Sequence, residues 1–311
     1  MLPSPKRLTF RTSGYYILQA LCVLALFYYL RTTSIQSIQP QNSHPKSDGI
    51  PKIIWYKLGP KGLNSDTREW TDTCIRINPN YRMEFLTDED ADEYVKKSWK
   101  FRPDIVDIYL GLTIPIVKAD LLRYLLLFDQ GGIWSDLDIS CEGVPVDDWI
   151  PQQHKAAGLV VGWEFDMGWG TAFIRQFASW TIMAKPGSPH MLQVIEDITA
   201  SLRGIMEKQE IPIQNVTLTM TGEIVDFSGP RRFTNSVIAS IGKSVNRTIK
   251  LDEISQLLQP KQIGDVLILP GVSFAASANT YTDEEKEQLP PKLVTHHYAG
   301  TWKNPEGGET V

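Results

Sequence analysis

Apolar and polar positions alternate along the chain in a row of short elements that begins near Ile50. Pro51–Tyr56 (PKIIWY) is a compact apolar run bounded by polar residues, and it predicts a strand. Ser65 to Arg76 repeats its apolar positions at helical spacing, and Arg82–Leu86 (RMEFL) predicts the next strand. Thr87-Asp88-Glu89-Asp90 has the form of a capping box that opens a helix. Lys118 to Asp129 (KADLLRYLLLFD) has helical apolar spacing and stops before Gly131, a residue favoured just past a helix end. Ile133–Ile139 and Ala157–Val161 predict two more strands. Strands alternating with helices imply an α/β domain with a mostly parallel sheet, whose ligands bind at the carboxyl ends of the strands. From Ile50 to about Trp302 there is no second linker and no internal repeat.

The pattern before Ile50 is different. Tyr15–Leu30 (YYILQALCVLALFYYL) has no charged residue and carries tyrosine pairs at both ends, where amphipathic rings favour the headgroup level. Its sixteen residues span roughly 24 Å as a helix, short for a hydrocarbon core of about 30 Å but suited to the thinner membranes of the early secretory pathway. Lys6, Arg7 and Arg11 precede it and Arg31 follows, which orients the N-terminus to the cytosol. A cleaved signal peptide is the competing reading, although no small-x-small cleavage site follows Leu30. The expected organisation is a cytosolic tail (1–14), a transmembrane signal anchor (15–30), a Ser/Thr/Gln/Pro-rich stem (31–49), a lumenal catalytic domain (50–303) and a C-terminal tail (304–311).

Charge sharpens this partition. The chain has 311 residues and a formal net charge of −5. Residues 1–49 hold Lys6, Arg7, Arg11, Arg31 and Lys46 against Asp48, a net of +4, which leaves −9 for the rest. An acidic domain argues against a nucleic-acid partner. Three cysteines exclude a disulfide scaffold. Cys74 and Cys141 could pair in an oxidising lumen, and their spacing does not decide it. Asn215-Val-Thr and Asn246-Arg-Thr are glycosylation sequons, usable only in a lumenal domain.

The candidate chemistry lies in Lys118–Ser140 (KADLLRYLLLFDQGGIWSDLDIS). If Asp136 and Asp138 lie in a strand, period-two alternation points both carboxylates to one side and Leu137 to the other. Two hard oxygen donors on one side suit Mn²⁺ or Mg²⁺, and a cation there can neutralise a diphosphate. One such triplet alone is common at solvated strand ends. Asp120 and Arg123 are three apart on one helical face, as a local ion pair or as ligand-holding groups.

The series Ala119-Asp120, Arg123, Tyr124, Gly131-Gly132, Trp134, Asp136 and Asp138 resembles the DXD signature of glycosyltransferase family 32, whose members include fungal initiation-specific α-1,6-mannosyltransferases of the Golgi. Co-linear matches follow at Trp180-Thr181-Ile182, Ala184-Lys185-Pro186-Gly187, Gly229-Pro230, Phe233-Thr234, Gly264-Asp265-Val266 and His296-His297-Tyr298-Ala299-Gly300-Thr301-Trp302-Lys303. The resemblance implies a GT-A fold, a nucleotide-sugar donor such as GDP-mannose, an N-linked glycan acceptor and retention of anomeric configuration. It implies a type II protein of the Golgi or ER membrane. Carried over by position, Asp136 and Asp138 hold metal and diphosphate, and Asp120 and Arg123 hold the donor sugar. His297 is the third metal ligand, with His296 as the alternative, and Trp302 and Lys303 close over the diphosphate. Glu164, Glu223 and Asp226 are the candidate acids near the reacting centre, with same-face attack guided by the departing phosphate as the other route. The first strand departs from the family pattern, since Trp55 is followed by Tyr56, Lys57 and Leu58 where the nucleotide base is expected. Competing readings are an inositol phosphoceramide mannosyltransferase, a UDP-sugar enzyme, and a silent subunit of a mannosyltransferase complex.

Overall fold

The computed structural model describes residues 49–170, 173–300 and 303–308. The anchor and stem expectations fall on residues outside these, as does Trp302. Among the described residues no helix is long and apolar enough to cross a membrane.

Period-two burial makes the sheet. Its strands are β1 (Ile53–Lys57), β2 (Arg82–Leu86), β3 (Gly132–Ser135), β5 (Leu159–Phe165), β6 (Gln176–Phe177), β7 (Thr181–Ala184), β8 (Lys261–Ile263) and β9 (Val266–Leu269). A separate ribbon pairs β4 (Ile139–Cys141) with β10 (Val294–His296). On one face of the sheet Trp55, Trp134, Val161, Trp163, Ile182 and Ile268 join the larger core. On the other face Ile54, Tyr56, Ile133, Val160, Met183 and Leu267 join a second core, closed by Trp149 and Phe274. Successive residues of each strand thus go to opposite layers, as a sheet buried on both faces requires.

The longer helices among the described residues are α1 (Ser65–Ile77), α2 (Asp88–Ser98), α3 (Pro103–Gly111), α4 (Pro115–Asp129), α5 (Pro189–Gln209) and α6 (Pro230–Ser244). Five of the six, α2 to α6, cover the larger core, while α1 packs on β4. Four of them open on proline, whose fixed φ suits the first turn and whose missing N–H costs nothing there. The capping box at Thr87 forms: its hydroxyl accepts the Asp90 N–H, and the Asp90 carboxylate accepts the Thr87 N–H. Helix α4 is buried nearly all round, including Leu121, Leu122, Tyr124, Leu125, Leu126 and Leu127, so it sits inside the domain rather than on it.

The strand order is β2-β1-β3-β7-β5-β9-β8, with β6 on β5. This corrects the expectation of a mostly parallel sheet. The β1–β2, β1–β3 and β5–β9 pairs are parallel, while β7 runs antiparallel between β3 and β5, and β8 is antiparallel at the edge. Because β7 reverses and β5 reverses again, β1, β3, β5 and β9 all point the same way. Their carboxyl ends open on one side of the sheet. The expected strand Ile133–Ile139 is also corrected. It breaks after Ser135, turns through Leu137 and Asp138, and resumes as β4 in the other ribbon.

Candidate active site

Helix α4 ends at Asp129, and Gly131 and Gly132 reverse the chain into β3 with φ of +65° and +99°. A Cβ on Gly132 would stand 2.8 Å from the Ile53 carbonyl oxygen, so only glycine lets β3 pair with β1 here. The Trp55 indole N–H donates to the Gly131 carbonyl at 2.8 Å and locks the turn. This connection lays β3 beside α4 and delivers Asp136 to the side chains of Asp120 and Arg123.

Those three residues form a buried charge cluster. Arg123 Nη1 donates to Asp120 Oδ1 at 2.8 Å, and Arg123 Nη2 donates to Asp136 Oδ1 at 3.1 Å. The local ion pair is therefore present, and Arg123 also links it to the DXD turn, a contact the sequence did not indicate. The Trp134 indole N–H donates to Asp136 Oδ1 at 2.6 Å, and the Ser228 hydroxyl donates to Asp120 Oδ2 at 2.7 Å. Burial raises the Asp120 carboxyl to about 6, with Arg123 pulling the other way. Burial also raises Asp136, again against Arg123. Burial works against the Arg123 charge, but Asp136 and Asp120 outweigh it and hold the guanidinium above its ordinary value.

Asp138 lies across the turn. Burial opposes its ionisation, but the His296 ring, 3.3 Å away, and the Ala299 N–H at 3.0 Å outweigh it and hold the carboxyl below its usual value. His296 is sandwiched against Trp180 and Tyr298, with ring centroids 4.0 and 3.9 Å apart. His297 points elsewhere: its Nε2 is 2.9 Å from the Ser140 hydroxyl, and its ring stacks on Trp70 at 4.1 Å. Of the two adjacent histidines, His296 is the one that meets the DXD turn, because side chains of the extended segment alternate.

Asp120, Arg123, Trp134, Asp136, Asp138 and His296 line a cavity of about 800 Å³ at the carboxyl ends of β1, β3 and β5, and His297 does not. Lys57, Trp70, Asp138, Glu164, Tyr298 and Lys303 share its wall. Glu164 accepts a hydrogen bond from the Gln176 amide at 2.6 Å, and burial pushes its carboxyl up to about 7. Asp226 is not part of this lining; it is half exposed and paired with Arg231 at 3.3 Å. Glu223 is likewise absent from the wall. Trp134, two residues from Asp136, was legible as a same-face neighbour. Ser228 and Gln176 gave no such signal, since they reach their carboxylates across 108 and 12 positions of chain.

Among the described residues no group of three or more His, Cys, Asp or Glu side chains is assembled as a ready-made metal site. The donor types nevertheless suit a divalent cation. Two carboxylates face the same cavity, and the buried Nδ1 of His296 has no hydrogen-bond partner among the described residues.

Residues 65–156 match a family profile described as "Glycosyltransferase sugar-binding region containing DXD motif". The chain is 28% identical to an initiation-specific alpha-1,6-mannosyltransferase of Candida albicans, across 88% of this chain and 77% of that protein. It is 28% identical to the Schizosaccharomyces pombe protein of the same name, across 87% and 69%. Among solved structures, the PaToxG glycosyltransferase superposes with a TM-score of 0.41 at 14% identity, covering 78% of this chain and 84% of that one. The matched region contains α4, both glycines and the DXD turn, so the chain carries a region similar to the sugar-binding region of DXD-type glycosyltransferases.

Proposed function

We propose that the chain transfers mannose from GDP-mannose to an N-linked glycan, with retention of configuration, in the lumen of the Golgi or ER on a GT-A scaffold. The observation that carries this reading is the Arg123 fork, which joins Asp120 to Asp136 at the floor of a strand-end cavity. The names of the fungal relatives support mannose as the sugar. The Cys74–Cys141 disulfide and the exposure of both sequon asparagines support the lumenal placement.

Asp136, Asp138 and His296 are the residues that would hold Mn²⁺ or Mg²⁺, and the bound cation would supply charge neutralisation for a nucleoside diphosphate. Arg123 is positioned to bond a phosphate oxygen through its second edge, a charge-assisted contact that strengthens as the leaving group gains charge. Asp120, fixed by Ser228 and Arg123, would accept hydrogen bonds from donor sugar hydroxyls. Lys303 lies on the wall where it can cover the diphosphate. Glu164, on the β5 side, would meet the acceptor hydroxyl and take part in its proton transfer. Beyond the cluster the cavity wall carries Asp66, Asp88 and Glu164, of which Glu164 alone stands on β5, and Asp226 is not in the wall, so same-face attack guided by the departing phosphate fits better than a covalent intermediate on Asp226.

The test is transfer from GDP-mannose to a high-mannose oligosaccharide in Mn²⁺, compared with UDP-sugars. Asp136→Asn and Asp138→Asn should each lower kcat by about 10²–10³-fold, the size of losing one charge-stabilising group in such a site. Unchanged rates in both variants with chelator present would overturn the metal reading. A preference for a UDP-sugar would overturn the donor, and no turnover of any donor would favour the silent-subunit reading.

A further inference from the structure

At the cavity wall, β5 runs into a loop, and the strand end and the loop together carry three contacting aromatic rings. Phe165, the last residue of β5, meets Trp169 and Phe173 edge-on at 5.0 and 5.1 Å, and Trp169 stacks on Phe173 at 4.1 Å. Phe165 lines the cavity beside Glu164, so the stack continues from the cavity outward. Phe173 is 38% exposed. Thr171 and Ala172 lie outside the described residues and form no part of the site.

The loop is held stiffly for one that displays apolar rings. Asp166, fully buried, accepts the Gln256 and Leu257 N–H groups at 2.7 and 3.2 Å and pairs with Arg175 at 3.3 Å. The Asn279 side-chain oxygen accepts the Asp166 and Met167 N–H groups at 2.9 and 2.8 Å. The Trp169 indole donates to the Ala278 carbonyl at 2.7 Å, which fixes the plane of the ring. A buried carboxylate tied down in this way at the base of an exposed aromatic stack is an arrangement for pre-organisation.

We propose that Trp169 and Phe173 form an acceptor subsite, on which a hexopyranose ring of the glycan stacks by its apolar C–H face while its reacting hydroxyl points to Glu164. The inference rests on the transferase reading and extends it to how the acceptor is held. Two observations favour a saccharide. The stack begins at the end of β5, three strand positions from β1, or about 14 Å at the usual inter-strand spacing, so it is separated from the Lys57–Trp70 end of the cavity by roughly the length of a sugar unit or more. The loop also offers no free cation for an anionic membrane surface, since Arg175, its one basic residue, is paired with Asp166. Phe173 is exposed and Trp169 half-buried, and such planar rings suit a ligand that is apolar on its faces and polar at its edges.

Kinetics of the full-length protein in detergent, with a high-mannose oligosaccharide as the probe, test this. Trp169→Ala and Phe173→Ser should each raise the acceptor KM about tenfold, equivalent to about 1.4 kcal/mol, while the donor KM stays within about twofold. Trp169→Phe and Phe173→Tyr should restore most of the loss, which a generic packing defect would not show. Ile174→Ser, an exposed neighbour outside the stack, should leave the acceptor KM unchanged. If the unaltered protein transfers to the oligosaccharide and both stack variants keep its KM, the subsite is overturned and the transferase reading stands. A defect seen in phosphatidylcholine vesicles and absent in detergent would assign the stack to lipid and also overturn it. No transfer by the unaltered protein would overturn both readings.

Discussion

Glu164 combines a place on the cavity wall with a carboxyl raised by burial to about 7. Between its ordinary value, about 4.5, and about 7, the folded chain keeps a proton that the unfolded chain has released. Its contribution to stability is therefore complete below that window and is lost as pH rises through 7. Glu164→Gln copies the neutral acid, so the substitution should matter only where the native residue is charged. At pH 8 the variant should melt higher by about 8 °C, since a shift of this size corresponds to about 3 kcal/mol in a domain of this length. At pH 4, below the window, the two proteins should melt together within about 1 °C. Paired thermal melts at the two pH values check this, and an equal difference at both would remove the titration from the explanation. Activity of the variant should fall, because a residue that stabilises when neutral is retained for what it does when charged. At this scale the sequence was informative for Asp120 and Arg123, which are neighbours by helical spacing. It was not for His296 and His297, where the position of the motif favoured one and the alternation of a three-residue strand turned the other toward Asp138.

The α4–β3 unit shows what local pattern can and cannot tell. The start of α4 at Pro115 precedes the apolar run by one turn, and its end before Gly131 follows directly from the residues that favour a helix stop. The break in β3 had no local sign, because Ile133–Ile139 reads as one apolar strand. The chain leaves the sheet after Ser135 to pair with β10, a partner more than 150 residues away, and that choice is made by tertiary structure. The two carboxylates therefore face one cavity because they flank a turn, and not because they alternate along a strand. Gly132 is the hinge of this unit. Gly132→Ala should cost about 1–3 kcal/mol for the left-handed backbone alone, with more from the clash at the Ile53 carbonyl. Chemical denaturation should show a lowered midpoint, and activity should fall further than stability because the displaced β3 carries Asp136. A variant with native midpoint and native activity would show that β3 does not depend on this close approach.

Across the whole domain the alternating strand-helix order was legible, and the cavity lies at the carboxyl ends of the strands, where the sequence pattern places it. The reversal of β7 was not, since its two pairings with β3 and β5 depend on chain far from it. The same holds for the Cys74–Cys141 disulfide, left open by spacing and formed because α1 packs on β4, where the two Cα atoms are 4.9 Å apart. The Thr73 hydroxyl accepts the Cys141 N–H beside it at 2.8 Å. The bond links the helix that carries Trp70, stacked on His297, to the strand that follows the DXD turn. It closes a sequence separation of 67, which in the chain-entropy view constrains the unfolded state by about 4 kcal/mol. Cys74→Ser/Cys141→Ser should therefore lower Tm by about 10 °C for a domain of this size. Reductant should lower the Tm of the native protein by the same amount and leave that of the double variant unchanged. Acceptor and donor KM measured well below the variant's Tm should both rise, because the tie joins the strand that follows Asp138 to the helix that gives Thr67 and Trp70 to the cavity wall. Equal melting with and without reductant would mean that packing of α1 on β4 alone holds the wall together.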